Sequence, residues 1–232
     1  MTLSIVLPCF NEEAVIASTI NDVLTWMEKR NISGEVIVVD DGSKDRSCEI
    51  IEPLLQKHEN LKLLKHAQNR GAASAVFTGL DAAQSEYIGY MDSDGQFRAK
   101  EFDALLPHLE KYNVVIGRRT PRADVWIRRA KGRLFSWLLF LTLGIRVSDP
   151  NCGVKILKRS LWPQIRPVHA TGGLLFAEVY LHLNQMKIPW KEVPVLHEPR
   201  CSGRGTGGKV SVAFVMLKEL LELEWARLWG MR

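Results

Sequence analysis

The chain has 232 residues, 46% of them hydrophobic, with a formal net charge of +5 and four cysteines. That length and apolar content support one sizeable core and exclude both a disordered chain and a small disulfide-stapled scaffold. The cysteines (Cys9, Cys48, Cys152 and Cys201) are scattered without metal-ligand or redox spacing, so they read as reduced thiols of a cytosolic protein. The first residues run directly into a strand-like segment, and no secretory signal is expected.

The first half alternates strand and helix. Residues 3–7 form a β-branched apolar run closed by Pro8. Asn11 is placed to cap a helix whose apolar positions Val15, Ile16, Ile20, Val23, Leu24 and Met27 fall at helical spacing. A buried strand over 36–39 ends in Asp40-Asp41-Gly42-Ser43. Asp45 then caps a helix carrying Ile50, Ile51 and Leu54. A third strand covers 61–64, Asn69-Arg70-Gly71 opens an Ala-rich helix to about Ala83, and a fourth strand covers 87–91. This alternation predicts right-handed βαβ units and a mainly parallel central sheet flanked by helices, with ligands beyond the carboxyl ends of the strands.

The fourth strand runs into Asp92-Ser93-Asp94-Gly95. Two carboxylates one residue apart at the exit of a buried strand are electrostatically awkward unless a cation lies between them. A hard divalent metal carrying a diphosphate suits the pattern, because Mg2+ is usually held by one or two carboxylates and substrate phosphates. An ordinary Asp-Gly turn is the competing reading.

The second half is less regular. Strands are expected over 114–116, 154–157 and 193–196, with a helix over 174–186. Between Arg118 and Arg133 lie seven cations (Arg118, Arg119, Arg122, Arg128, Arg129, Lys131 and Arg133) against the single acid Asp124. The run leads into an apolar stretch over 134–145. As a helix that stretch would span roughly 18 Å, short of a hydrocarbon core of about 30 Å. It suits a core helix or one lying in an anionic lipid interface better than it suits a nucleic-acid groove. The loop from Arg200 to Lys209 combines Gly203, Gly205, Gly207 and Gly208 with Arg204 and Lys209, as in a lid over phosphates. Residues 210–232 read as a C-terminal amphipathic helix, packed on the domain or at a membrane or partner surface. Residues 1–209 read as one domain.

Taken in order, Val6-Leu7-Pro8-Cys9-Phe10-Asn11-Glu12-Glu13, Val38-Val39-Asp40-Asp41-Gly42-Ser43, Asn69-Arg70-Gly71, Asp92-Ser93-Asp94-Gly95-Gln96-Phe97 and Asp149-Pro150-Asn151-Cys152-Gly153-Val154-Lys155 resemble family 2 glycosyltransferases of the GT-A fold. Val193-Pro194-Val195, Arg200 and the Gly-rich loop resemble their closing segment. The likeness is to the dolichyl-phosphate mannose synthase-like branch, although Cys152-Gly153-Val154 stands where that branch usually has Ser-Gly-Phe.

The resemblance implies a Rossmann-like α/β nucleotide-diphospho-sugar transferase fold. It implies an inverting enzyme that uses Mg2+ or Mn2+ to move a hexosyl group from a UDP- or GDP-linked sugar to a polyprenyl phosphate, peripheral at the cytoplasmic membrane face. A homo-oligomer or membrane partner protein is left open; no nucleic acid is expected. It implies that Pro8, Asn11, Glu12, Asp40, Asp41, Ser43 and Asp92 bind the nucleotide, and that Asp94, with Asp92 and Gln96, binds the metal. Arg118, Arg129, Lys131, Arg133, Arg200, Arg204 and Lys209 are candidates for donor or acceptor phosphate. A lipid phosphate is already anionic and needs no base. A sugar hydroxyl does, and Asp149 and Glu178 are then the candidate catalytic carboxylates. Three alternatives are weighed: the same donor chemistry with a hydroxyl acceptor, a non-catalytic nucleotide-sugar binder, and a nucleotidyltransferase. The last normally needs a Gly-rich basic loop after the first strand, which the segment from Pro8 to Glu13 lacks.

Overall fold

The structure is a computed structural model; it describes residues 1–120, 126–168, 174–200 and 225, with backbone alone over 126–133. In chain order the elements are β1 (Thr2–Cys9), α1 (Ile16–Lys29), β2 (Ser33–Asp40), α2 (Ser47–Leu55), β3 (Leu61–Lys65), α3 (Ala72–Ala82), β4 (Tyr87–Met91) and the one-turn α4 (Phe102–Leu105). They continue with β5 (Val114–Arg119), α5 (Trp126–Leu143), β6 (Val154–Lys158), the one-turn α6 (Trp162–Ile165), α7 (Leu175–Gln185) and β7 (Lys191–Val195). All seven expected strands form one sheet in the order β3-β2-β1-β4-β6-β5-β7.

The pairs β1–β2, β2–β3, β1–β4 and β5–β7 are parallel, whereas β6 runs antiparallel to both β4 and β5. Strand order reverses between β1 and β4, which opens a crevice at their carboxyl ends. The inverted β6 has a second consequence. Its first residues, not its last, stand at that same rim, beside the exit of β4.

The sheet is covered on both faces. Leu3, Ile5 and Leu7 of β1, with Val36 and Val38 of β2, pack against α1, α2 and α4; Val6, Ile37 and Val39 face α3 in the other layer, to which α5, α6 and α7 also contribute. Two-sided burial is why these strands read as continuous apolar runs rather than as alternations. Gly79 lets α3 sit close to the sheet: a Cβ there would lie 2.3 Å from Val6 Cγ1 and 3.1 Å from Val39 Cγ2.

Two expectations are corrected here. Asn11 does not cap α1, which starts five residues later at Ile16. Asn11 instead adopts a positive φ of 56°, its N–H donates to Ser43 Oγ (2.9 Å) and its Oδ1 accepts from the Lys44 N–H (2.8 Å). Its polar groups therefore tie the β1 exit to the β2 exit. The helix expected to begin near 134 begins instead at Trp126, so Arg128, Arg129, Lys131 and Arg133 of the basic run fall in its first turns. Lys and Arg are good helix formers, which hides such a start from an apolar-pattern reading. In α5, Leu139 and Leu143 are buried, while Leu134, Trp137 and Leu141 are more than half exposed. Among the described residues no helix is long and apolar enough to cross a membrane. Cys9, Cys48 and Cys152 are free thiols. The C-terminal helix over 210–232 and the Gly-rich loop beyond Arg200 lie outside the described residues, apart from Trp225.

Gly79→Ala is expected to lower stability by about 1–3 kcal/mol through overpacking against β1 and β2. Urea denaturation should show a lower midpoint at an unchanged slope.

Candidate functional site

The sheet topology brings four chain segments to one rim: the exits of β1, β2 and β4 and the return from β7. Pro8 sits at the end of β1, where its carbonyl accepts a hydrogen bond from Ser93 Oγ and so joins the β1 and β4 exits. At the β2 exit, Asp40 is buried. Its Oδ2 accepts from the Ser43 N–H (3.2 Å), and its Oδ1 has no hydrogen-bond partner among the described residues. A buried carboxylate oxygen without a donor is costly. Asp41 is equally buried but fully engaged. It accepts from the backbone N–H groups of Arg70 (2.9 Å) and Gly71 (2.8 Å) and pairs with His66 Nδ1 at 2.7 Å. Asp41 thus holds the Asn69-Arg70-Gly71 turn against the rim, and sequence reasoning missed His66 as its partner.

The β4 exit carries the acidic pair. Asp94 Oδ1 accepts from the Gln96 N–H at 3.1 Å. Burial, then the neighbouring Asp92 charge, pushes the Asp94 carboxyl above its usual range. Burial likewise pushes the Glu12 carboxyl up, with Asp94 adding to the effect and Arg200 opposing it. Arg200 arrives from the β7 return and places its guanidinium 2.6 Å from Glu12 Oε1 but 3.7 Å from Asp94 Oδ2. The return is anchored by Gln96: its carbonyl accepts from the Glu198 N–H (2.8 Å) and its Nε2 donates to the Glu198 carbonyl (3.1 Å).

The donor set fits a divalent cation. Asp94 and Asp92 supply hard oxygens, and the Gln96 amide spends its nitrogen on Glu198 and leaves its oxygen free to coordinate; burial first, then the Asp92 charge, raises the Asp94 carboxyl. Mg2+ or Mn2+ bound by few protein ligands keeps water and phosphate oxygens in its remaining positions.

Arg118 is exposed near the end of β5. Its neighbour Arg119 holds Asp149 in a fork: Nε to Oδ2 at 2.8 Å and Nη2 to Oδ1 at 2.7 Å, with the Arg119 N–H also donating to Oδ2 at 3.1 Å. Glu178 lies in α7 with no exposed surface, and its Oε1 accepts from the Val168 N–H at 2.8 Å. Neither carboxylate stands open at the rim. The side chains of Arg129, Lys131 and Arg133, and all of Arg204 and Lys209, lie outside the described residues.

Two residues near Asp92 had no assigned role in the sequence. Tyr90 donates from its hydroxyl to Asp92 Oδ1. Lys155 is buried in β6 at 3% exposure, with its Nζ donating to the Cys152 carbonyl.

The model of the Glycosyl transferase family 2 matches residues 4–180 of the chain. The chain belongs to the family 2 glycosyltransferases. A dolichyl-phosphate beta-glucosyltransferase of Dictyostelium discoideum is 27% identical over 83% of this chain and 65% of that relative. An undecaprenyl-phosphate 4-deoxy-4-formamido-L-arabinose transferase of Edwardsiella ictaluri is 26% identical over 92% of this chain and 65% of its own length. This family 2 chain therefore spans about two thirds of the length of those two curated relatives. Glucosyl-3-phosphoglycerate synthase from Mycobacterium tuberculosis, solved with Mn2+ and uridine-diphosphate-glucose, superposes with a TM-score of 0.72 at 21% identity, over 95% of this chain and 78% of that one. Mannosyl-3-phosphoglycerate synthase from Rubrobacter xylanophilus gives 0.73 at 15% identity, over 100% and 76%. These likenesses establish the GT-A fold.

Removing one partner of a buried ion pair strands the other charge. Arg119→Met is expected to cost about 3–5 kcal/mol in unfolding free energy, and Arg119→Met/Asp149→Leu to recover part of that. Chemical denaturation of the two variants checks both values.

Proposed function

We propose that this family 2 chain transfers a hexosyl group, with inversion, from a nucleotide diphosphate sugar to a polyprenyl phosphate, using Mg2+ or Mn2+ at Asp94, Asp92 and Gln96. The observation that carries the donor half is the acidic rim: Glu12, Asp40, Asp92 and Asp94 gather at the carboxyl ends of three parallel strands with incomplete compensation. Asp40 Oδ1, buried and without a donor, suits the N–H groups of a nucleobase. Asn11, Glu12 and Ser43 line the same side of the crevice. A cation bound at Asp94 supplies Lewis-acid stabilisation of the charge that grows on the departing diphosphate. Arg200 stands beside it, with a fork suited to phosphate oxygens.

Two supports favour the lipid-phosphate acceptor over a hydroxyl. Relatives of this chain carry dolichyl-phosphate and undecaprenyl-phosphate in their names. In addition, both carboxylates eligible as bases are engaged elsewhere, Asp149 by the Arg119 fork and Glu178 inside α7. A phosphate nucleophile is ionised at neutral pH and needs only to be held in line with the anomeric carbon. Arg118, Arg129, Lys131 and Arg133 are proposed to hold it, at a membrane surface. Arg204 and Lys209 are proposed to close over the donor.

Asp94→Asn is expected to lower turnover at least about 100-fold, the scale of several kcal/mol of lost transition-state stabilisation, while the far-ultraviolet dichroism stays native. Transfer of radiolabelled sugar to undecaprenyl phosphate, to undecaprenol and to a free saccharide separates the acceptors. Label should appear only on the phosphate; comparable transfer to either hydroxyl acceptor would sink the assignment.

A further inference from the structure

The mechanism above makes no use of a buried cation that lies directly behind the acidic pair. Lys155 is 3% exposed and makes no ion pair among the described residues. Its ammonium sits 3.7 Å from the centroid of the Phe176 ring and 5.5 Å from that of Tyr90, and it donates to the Cys152 carbonyl. Burying an ammonium with so little compensation is expensive unless it serves a nearby anion. Burial pushes the Lys155 amine down to about 8, while Asp92 and Asp149 act in the opposite sense.

The register makes the arrangement specific. Tyr90 of β4 and Lys155 of β6 are directly paired across the antiparallel ladder, so both side chains rise from the same face of the sheet. The Tyr90 ring lies 5.2 Å from Phe176, and its hydroxyl reaches past the strand end to Asp92 Oδ1. The other Asp92 oxygen rests over Gly153, where a Cβ would lie only 2.1 Å from Oδ2; the Asp92 N–H donates to the Gly153 carbonyl at 3.0 Å. Asp92 is therefore held at Oδ1 and at its backbone N–H, with Oδ2 close over Gly153. A cation near a phenol ring strengthens the phenol as a donor, because linked polar groups in low dielectric polarise one another.

We propose that Tyr90 and Lys155 are positioning residues that fix the Asp92 carboxylate for the metal–diphosphate site. The inference rests on the metal-dependent reading given above. It differs from that reading in where it locates control. Metal affinity is set partly by a buried cross-strand pair that touches neither metal nor nucleotide. Outer partners that orient a ligand carboxylate typically account for 10–100-fold in metal affinity.

The test is Mn2+ titration of the full chain, followed by the electron paramagnetic resonance of free Mn2+, at saturating UDP and in parallel at saturating GDP. Wild type and Asp94→Asn establish whether the metal site exists; if wild type binds no Mn2+ with either nucleotide, the metal reading fails and this inference falls with it. Given wild-type binding, Tyr90→Phe and Lys155→Met are each expected to weaken Mn2+ by about 10-fold or more. The control is Tyr180→Phe, which removes another fully buried tyrosine hydroxyl, one bonded to the Pro150 carbonyl at 3.3 Å. It is expected to retain wild-type Mn2+ affinity. Wild-type affinity in both Tyr90→Phe and Lys155→Met, or an equal loss in Tyr180→Phe, would overturn the positioning role while leaving the metal site standing. A thermal melt of each variant identifies any that is unfolded, and the folded member of the Tyr90 and Lys155 pair then decides.

Discussion

Negative charge gathered at one rim of a buried sheet is the constraint around which this molecule is arranged. Asp40, Asp92, Asp94 and Glu12 come from three different strand exits, and like charges in a partly dry crevice repel. The fold answers from outside and beneath. Arg200 comes over the rim and engages Glu12 closely and Asp94 at longer range. Lys155 lies inside the core on β6, in register with Tyr90 of β4. We propose that a divalent cation and a diphosphate meet the charge that these two leave uncompensated among the described residues. A crevice saturated by its own arginines would have no use for either.

The topology explains how such distant groups meet. Three parallel strands deliver their carboxyl ends to one edge, as in any doubly wound sheet. The antiparallel β6 then delivers its amino end there too. That inversion sets Gly153 against Asp92 and carries Lys155 into register with Tyr90. At the far edge, β7 pairs parallel to β5 and sends the chain back across the crevice, where Glu198 grips Gln96 from both sides. The β4 exit and the return from β7 are thus joined by one backbone–backbone hydrogen bond and one from the Gln96 side-chain amide.

Such a site is paid for in stability. Raised carboxyl groups, an unpartnered Asp40 oxygen and a buried ammonium each oppose folding when nothing is bound. The compensating packing is elsewhere, in the two apolar layers on either side of the sheet. Under the proposed function, activity and stability would pull against each other at these same residues, a common pattern where function requires unsatisfied charge.

Much of this was legible in the order of residues alone. The seven strands are apolar runs bounded by Asp, Asn, Gly and Pro, and that local chemistry located each of them, with ends displaced by up to three residues. The one-turn helices α4 and α6 are too short to show a period. The Asp-rich exits were legible as a concentration of negative charge because carboxylates so close together in sequence stay close in any fold. Other features depend on separation. Arg119 and Asp149 are 30 residues apart, and Arg200 and Glu12 are 188 apart; only the sheet order makes them partners. Asn11 looked like a helix cap, and a backbone turn at positive φ gave it to the neighbouring loop instead. Lys155 stood in a short apolar strand with no role assigned to it. Its burial was decided by β6 running antiparallel in the middle of the sheet, because a strand covered on both faces has no outward side on which to place a charge.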